Sequence, residues 1–456
     1  MKKFLSVAAA LGLVAGVAST ASALDFSVSG SYSVTGNYLS KSDGTGFDVT
    51  EGAADPNAPD AYWMHSFIIK PTMKVNDNIS MLSQIRLADS AIWGQANGDA
   101  SVVANGSGYE NNNDVLVAHL YMQYLSPVGK FHIGRVPSGA WGTVFLDQDS
   151  RANGIKWWPN FLASGPWSTY FSVTKATEAD AQAANEVADG DSDSYEGRIN
   201  FKNDVLDAGI RYVYGDVDTT AANDTVNETM GFYGVYKFGT NFAGTEIVHL
   251  AGSIDDNNVA TNVDDRSATA ALVKVGGKFD NLSLLGAYMY LSGDDDTHAT
   301  LGGDREAFAA LNGGTGSEFT PLYILTGRGM GMLNPDINGA DAVTGGAVAN
   351  AGAHALVLMA DYKVSDKLSL HGGIAYAQAD EEVDSHAGAA KATSYLGRDD
   401  EYGWEYNVGA AYKLLDNLTY EAHFGYLDTG DFFDSTLNAG DADAVYLLSH
   451  SLTMTF

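Results

Sequence analysis

Three arginines lie in segments of the sequence where apolar and polar residues alternate. Arg86, Arg198 and Arg211 are each followed by an aliphatic or aromatic residue that belongs to the opposite phase of the alternation. Because successive side chains of a β-strand point to opposite faces, each arginine is predicted to lie on a polar face, opposite an apolar one. A guanidinium is permanently charged, so this pattern indicates an electrostatic role rather than bond-making chemistry.

Catalytic signatures are missing from the sequence. It contains no HExxH helix, no P-loop and no G-x-S-x-G, and the glycine-rich run 327–331 does not stand between a strand and a helix. The absence of cysteine excludes disulfides and thiolate chemistry. Of the ten histidines, His371 and His423 are predicted to face water in an interior, and His450 to face lipid or a neighbouring subunit. We expect no enzymatic activity, no cofactor and no metal centre. Acidic runs in the loops could hold divalent cations or only solvate the chain: 255–256, 294–296 and 399–401.

The first 23 residues are predicted to be a signal peptide. Lys2 and Lys3 precede an apolar stretch, and Ala21-Ser22-Ala23 matches a cleavage site. No later stretch offers the 18 or more consecutive apolar residues of a spanning helix. The formal charge of −32 argues against a nucleic-acid partner. We therefore expect an exported protein with one domain, residues 24–456.

Alternation with a period of two recurs along the chain. In the last fourteen residues, Tyr446, Leu448, Leu452, Met454 and Phe456 share one face, and hydroxyl residues dominate the other. Similar patterns occur in residues 24–38, 402–414 and 418–427, with the set from Tyr402 to Leu414 at even positions predicted to face outward. Segments of this length, with aromatic residues near their ends, are typical of transmembrane β-strands.

A short motif repeats along the chain. In each copy a lysine at a strand end is followed by a tight turn with Asp or Asn, and then the next strand begins. Asn and Asp suit tight turns because they tolerate positive φ and bond their own backbone. The motif occurs at 76–78, 203–205, 279–281, 364–367 and 415–417, and counting hairpins adds short turns near 126–129, 160–166 and 239–244, eight in all. The other connections are long, acidic and glycine-rich: 40–60, 93–113, 176–193, 293–350 and 380–401. Short periplasmic turns and long extracellular loops are how outer-membrane barrels are built.

These patterns predict an all-β fold, a transmembrane antiparallel β-barrel of 18 strands. The alternative is 16 strands, if residues 138–175 are an inserted loop rather than strands. A barrel of this size encloses a water-filled lumen. An arginine facing lipid at mid-depth costs about 2–4 kcal/mol, so Arg86, Arg198 and Arg211 are predicted to face the lumen.

The terminal Phe456 resembles the end of bacterial outer-membrane barrels, which the barrel-assembly machinery reads. The Gly134-Arg135 pair, at a strand end before a long loop, resembles the segment before the constriction loop of trimeric general porins. That resemblance implies that Arg135 lines the eyelet and that residues 138–156 fold into the pore. Asp147 and Asp149 would then supply the acidic side. Arg135 has the same parity as Phe131 and Ile133, so periodicity alone leaves its facing open.

Over its whole length the chain resembles the homotrimeric porins of sulfate-reducing, Desulfovibrio-like Gram-negative bacteria. The resemblance implies an outer-membrane location, contact with lipid and lipopolysaccharide, a homotrimer, and passive diffusion of ions and small hydrophilic solutes. The alternative is a substrate-specific channel for sugars or carboxylates, for which Tyr121, Tyr170 and Tyr233 are the lumen-phase aromatic candidates. An outer-membrane hydrolase or an adhesion barrel acting through loop 293–350 finds no support in the sequence.

Overall fold

The computed structural model describes most of the chain after residue 24. The described residues are 25–40, 60–93, 115–143, 145, 151–160, 165–178, 191–220, 223–256, 263–294, 306–308, 319–326, 351–381, 400–433 and 444–456. The signal peptide prediction lies outside them. So do Asp147 and Asp149.

Within these residues the chain forms eighteen β-strands and one short 3-10 helix, Asp431–Phe433. The strands are β1 Asp25–Leu39, β2 Asp60–Lys74, β3 Ile79–Ile92, β4 Leu116–Ser126, β5 Gly129–Pro137, β6 Arg151–Pro159, β7 Trp167–Thr177, β8 Ser192–Lys202, β9 Leu206–Thr220, β10 Asn223–Phe238, β11 Asn241–Asp256, β12 Val263–Phe279, β13 Leu282–Leu291, β14 Ala353–Lys363, β15 Leu368–Gln378, β16 Glu401–Leu415, β17 Leu418–Thr429 and β18 Val445–Thr455. No helix among the described residues has the length and apolar character needed to cross a membrane.

The sheet closes on itself. Each strand pairs antiparallel with its neighbours in sequence, and β1 pairs with β18 from Ser31↔Thr455 to Leu39↔Leu447. Closure removes every sheet edge, as the hydrocarbon of a membrane requires. The prediction of 18 strands is therefore confirmed for the described residues. The alternative of 16 is wrong because β6 pairs with β5 along its full length and then with β7.

Each of the eight predicted turns spans the junction of two consecutive strands, but residues 241–244 of the turn 239–244 belong to β11, and residues 161–164 lie outside the described residues. Side chains bond the local backbone in the turns 76–78, 126–129, 203–205 and 364–367. Asn76 Oδ1 accepts hydrogen bonds from the N–H groups of Asn78 and Ile79, both at 2.9 Å. Asn203 Oδ1 accepts equivalent bonds from Val205 and Leu206. Because the turn residues satisfy the backbone locally, such hairpins are fixed by short stretches of sequence.

The outer wall of the barrel is apolar and aromatic. On β10, Met230, Phe232 and Tyr236 are about half exposed, whereas Tyr233, on the other face, is 7% exposed. The same alternation appears on β9, where Ile210 and Tyr212 point outward. A continuous apolar exterior around a closed barrel is the surface of a transmembrane barrel.

One residue predicted to face outward faces the other way. The alternation groups Tyr402 with Trp404 and Tyr406, but Tyr402 is fully buried against Phe432, with ring centroids 4.6 Å apart. The pairing of β15 with β16 shifts register at this point, and Gly403 has φ +112°. A β-bulge adds one residue to the strand, so the side chains before it point to the opposite face from the one that the alternation predicts. This local change of phase corrects the prediction for Tyr402.

Candidate pore constriction

The connection after β5 turns inward over the barrel wall. We call residues 138–143 and 145 the first inner segment. Lys156 of β6 donates from Nζ to the carbonyl oxygens of Pro137 and Ser138, the latter at 2.7 Å. Arg198 of β8 donates to the carbonyl oxygen of Ala140 at 3.4 Å. Two inward-facing cations thus hold the start of the segment by its backbone.

An aromatic and arginine cluster packs beside it. The Arg211 guanidinium lies 4.9 Å from the Trp141 ring, and Trp141 meets Tyr233 edge-on at 5.1 Å between centroids. Tyr233 donates from its hydroxyl to Asp207 at 2.8 Å. A guanidinium over an indole face is attracted by the ring quadrupole, and the attraction grows where water is excluded. These contacts fix Trp141 against β9 and β10.

A second arginine is organised in the same way on the neighbouring strands. Arg198 forms a bidentate pair with Glu196, at 2.6 and 3.1 Å, and its guanidinium lies 4.5 Å from the Tyr170 ring. Planar two-point pairing of this kind holds a guanidinium in one orientation. Tyr170 itself is 3% exposed.

The far end of the first inner segment is anchored by a buried carboxylate. Glu246 of β11 is fully buried, and its Oε2 accepts from the backbone N–H of Thr143 at 2.5 Å and from the Thr143 hydroxyl at 2.7 Å. Lys274 of β12 donates to the Thr143 carbonyl at 3.1 Å. Gly142, with φ +70°, lets the backbone pass close to this carboxylate, because a Cβ there would lie 2.5 Å from Glu246 Oε2. The segment therefore follows the wall from β6 to β12.

A second connection also enters the lumen. We call residues 319–326, which lie between β13 and β14, the second inner segment. Glu405 of β16 is fully buried and accepts the backbone N–H groups of Tyr323 at 2.8 Å, Ile324 at 3.1 Å and Leu325 at 2.6 Å. A carboxylate accepting several backbone N–H groups is a strong, charge-assisted anchor.

The second inner segment covers an apolar part of the inner wall. Its residues Leu322, Ile324 and Leu325 are fully buried. The inward-facing wall residues that line this core are small or aliphatic: Ala287, Met289, Leu291, Ala353, Ala355, Val357, Ala375, Ala377, Leu427, Val445 and Leu447. This part of the barrel interior is packed like the core of a globular protein.

The two inner segments meet. Phe145 of the first contacts Phe319 of the second, with ring centroids 6.3 Å apart in an edge-on arrangement. Lys274 lies 5.9 Å from the Phe319 ring, so one wall cation touches both segments. Together the two inner segments contact the wall from β6 to β17, and they occupy part of the lumen.

Three of the predicted arginines face inward. Arg198 and Arg211 pair with each other in the register of β8 and β9 and join the contacts of the first inner segment. Arg86 belongs to the inward set of β3, because its neighbour Ile85 pairs with the exposed Val117. The candidate lumen aromatics Tyr121, Tyr170 and Tyr233 also face inward, and Tyr121 packs on His132 at 4.7 Å.

The structure separates Arg135 from this cluster. Arg135 pairs with Leu120 and Asn153, and Leu120 is 48% exposed on the outer wall. Its Nε donates to the Ala118 carbonyl at 3.1 Å. The eyelet position implied by the Gly134-Arg135 resemblance is wrong, because paired residues of adjacent strands share a face.

The predicted bounds of the pore loop, 138–156, also need correction. Its first part enters the lumen, but residues 151–156 belong to β6. Asp147 and Asp149 remain predictions outside the described residues.

Sequence reasoning missed Glu246, Lys156 and Lys274. Each stands on the inward phase of a strand among outward apolar residues, for example Glu246 beside Ile247. A charge on the inward phase is the signal that these residues serve the lumen. The alternation also places Glu405 inward, but nothing in its strand indicates a partner in residues 319–326. His371 and His423 do face inward, although they contact Tyr323 rather than only water.

Comparison with solved structures supports the fold. The chain resembles Pseudomonas aeruginosa OccK8 (OprE), with 12% identity over 94% of this chain and 98% of that one and a TM-score of 0.51. It also resembles a BenF-like porin from Pseudomonas fluorescens Pf-5, with 12% identity over 94% and 99% of the two chains and a TM-score of 0.52. No family model matches the chain, and no curated protein matches it. At this identity the likeness establishes the fold, a closed 18-stranded barrel of the outer-membrane porin type.

Proposed function

We propose that the chain is an outer-membrane porin through which ions and small hydrophilic solutes diffuse passively. The observation that carries this proposal is a closed barrel with an apolar exterior and an inner segment that charged wall residues hold inside its lumen. A barrel of this size encloses an aqueous channel, and the segment limits its width. Nothing in this arrangement requires a catalytic step, and the proposed role is not enzymatic.

Arg86, Arg198 and Arg211 are the basic residues we propose to line the constriction. Lys156 and Lys274 add to them through their contacts with the first inner segment. Asp147 and Asp149 are proposed as acidic partners on the same connection. Charged groups around a narrow aqueous pore set up the electrostatic barriers that decide ion preference.

The test is conductance and reversal potential across a salt gradient, with the purified protein in a planar bilayer. Arg211→Ala should shift the reversal potential toward cation preference, because it removes a lumen charge beside Trp141. Arg135→Ala is the matched control. It removes the same charge from the outer face of the barrel wall, so it should leave the reversal potential unchanged. If Arg135→Ala shifts selectivity and Arg211→Ala does not, the constriction lies elsewhere. Silent membranes from correctly folded protein would remove the channel proposal.

A substrate-specific channel is the second candidate. It is favoured by the Arg211 guanidinium, which lies on the Trp141 ring; the Arg198 guanidinium is already paired with Glu196. Arginine recognises carboxylates by two-point pairing, so an organic anion is the solute class to test. Concentration-dependent block of the current by one carboxylate, and not by a neutral sugar of similar size, would select this candidate.

The assembly we propose is a homotrimer, as in the porins of sulfate-reducing bacteria that the sequence resembles. Its support is a patch on the outer wall formed by Trp63, His65, Trp93 and His450. Trp63 meets His450 edge-on at 4.8 Å, and Trp93 donates to His65 at 3.2 Å. Imidazoles half-way along membrane strands are costly against lipid, so a neighbouring subunit is the better partner. Conductance steps in groups of three, and a threefold mass in detergent, test this assembly.

Phe456 is the proposed signal for the barrel-assembly machinery. Its ring is 49% exposed on the outer wall, and its backbone exchanges hydrogen bonds with Gly30 at 2.9 and 3.1 Å. The long connections are the proposed contact with lipopolysaccharide. Loss of outer-membrane insertion in Phe456→Ala, with normal export, tests the first of these proposals.

A further inference from the structure

Three Lewis-basic atoms converge where the second inner segment meets the wall. The Tyr323 hydroxyl lies 2.6 Å from His371 Nε2 and 2.6 Å from His423 Nδ1. The two imidazole nitrogens are 2.9 Å apart. The three atoms thus form a triangle in which every edge is as short as a hydrogen bond.

Hydrogen bonding alone does not account for three mutual contacts. The hydroxyl carries one proton, and each ring nitrogen of a neutral imidazole is either a donor or an acceptor. If both nitrogens carry protons, they oppose each other across the 2.9 Å edge. If only one nitrogen carries a proton, that proton and the hydroxyl proton are the two available for the three short contacts. A cation bound by all three atoms resolves this arrangement.

The donor set suits a first-row transition metal. Imidazole nitrogen is a common ligand of zinc, copper and nickel, and zinc sites combine nitrogen and oxygen donors at about 2.0–2.1 Å. In a tetrahedral site of that size the donor atoms would be about 3.3 Å apart. The triangle would therefore open by roughly half an ångström, which small rotations of three side-chain ends provide.

The surroundings support such a site. His371 and His423 both pair with Gly409 of the strand between them, and a Cβ at Gly409 would overlap His371 Nε2 and lie 2.6 Å from His423 Nδ1. The imidazoles converge only because that residue is glycine. On the far side of the His423 ring, Nε2 lies 3.7 Å from Glu421 Oε2. Histidine ligands are commonly oriented by a carboxylate at the other ring nitrogen.

From this geometry we propose that Tyr323, His371 and His423 bind one divalent transition-metal ion of the zinc class. The ion links the second inner segment to β15 and β17. Glu421 is 42% exposed and gives the site access to water from the lumen. Binding replaces the phenolic proton, so it releases a proton and weakens at low pH.

The test is titration of Zn²⁺ into the folded full-length protein in detergent after treatment with a chelator. The expected result is one Zn²⁺ per chain, with an ultraviolet difference spectrum of tyrosinate. His371→Ala and His423→Ala should each weaken binding at least about tenfold, and Glu421→Gln by roughly tenfold. Tyr323→Phe keeps the ring, removes the oxygen and should abolish the tyrosinate signal.

His249→Ala is the matched control. His249 bonds Thr269 on β12 and has no part in the triangle. Heat-modifiable migration on gels identifies folded variants, and Tyr323→Phe serves if a histidine variant does not fold. Absence of Zn²⁺ binding by the folded wild type overturns the proposal. So does Zn²⁺ binding that is equally strong in wild type, Tyr323→Phe and the histidine variants.

Discussion

The two inner segments enter the same barrel but are held by different interactions. The first inner segment is fixed by cations, aromatic rings and one carboxylate, with Lys156, Arg198 and Lys274 bonding its backbone carbonyls. The second is fixed by Glu405 through three backbone N–H groups and by a core of aliphatic side chains. One part of the wall therefore meets its segment through charged and polar groups, and the other part meets its segment through a packed apolar core.

This difference predicts different mechanical behaviour. Burying a leucine-sized side chain contributes about 1.5–3 kcal/mol, and the second inner segment buries Leu322, Ile324 and Leu325. The first inner segment is held instead by charged wall residues that bond its backbone, and charges around a narrow pore influence which ions pass. We expect the second inner segment to behave as a fixed part of the wall and the first as the part that sets selectivity.

Glu405→Gln should have the largest effect. Both Glu405 oxygens accept backbone N–H groups, and a glutamine nitrogen cannot accept, so at least one buried N–H group loses its partner. An unsatisfied buried group costs about 1–3 kcal/mol. We expect the folded form to convert to the unfolded form at a lower temperature in heat-modifiability gels, and we expect the single-channel conductance to increase. Glu228→Gln on β10, where Glu228 accepts from the exposed Tyr212 hydroxyl, is the control, and equal effects of the two variants would contradict the proposed anchor.

Glu246→Gln should have an intermediate effect. Its oxygen accepts two bonds from Thr143, but Arg198, Lys156 and Trp141 contacts still hold the first inner segment. We expect a loss of about 1–2 kcal/mol and increased open-channel noise in single-channel records. A larger loss of stability than in Glu405→Gln would reverse the comparison.

Gly142→Ala should have a smaller effect, and Gly139→Ala isolates its cause. Both glycines have positive φ, at +70° and +77°, so both variants incur backbone strain of about 1–2 kcal/mol. Only at Gly142 does the new Cβ meet Glu246, whereas at Gly139 it meets nothing within 4 Å. Open-channel noise in single-channel records should therefore increase in Gly142→Ala and not in Gly139→Ala. If both variants behave alike, the close approach to Glu246 has no role.

The exposed turns should contribute least. Lys363 donates to Asp366 in the turn after β14, and this bond lowers the pKa of the Asp366 carboxyl. A lowered pKa means that the pair stabilises the fold above the ordinary carboxyl range and is lost as the pH falls through the lowered value. Because the pair is fully exposed, Asp366→Asn should change the conversion temperature little at neutral pH. A large drop at pH 7, absent at pH 3, would show that the turn matters more than its exposure suggests.

The sequence by itself determined the barrel. Its strands, their facing and the turns at 76–78 and 203–205 follow from alternation and from side chains that bond their own backbone, which are properties of neighbouring residues. Alternation, together with the cost of an arginine facing lipid, is enough to predict that Arg86, Arg198 and Arg211 face the lumen.

Only the tertiary structure decided what fills that lumen. The bond from Thr143 to Glu246 joins residues 103 positions apart, and the bond from Tyr323 to Glu405 joins residues 82 apart. The segments that enter have no periodicity, so nothing local reveals their partners. Arg135 and Tyr402 show that local sequence also fails to predict the orientation of some single residues. Strand pairing places Arg135 on the outer face, and a bulge turns Tyr402 inward. Facing is set by register, and register is a property of two strands together.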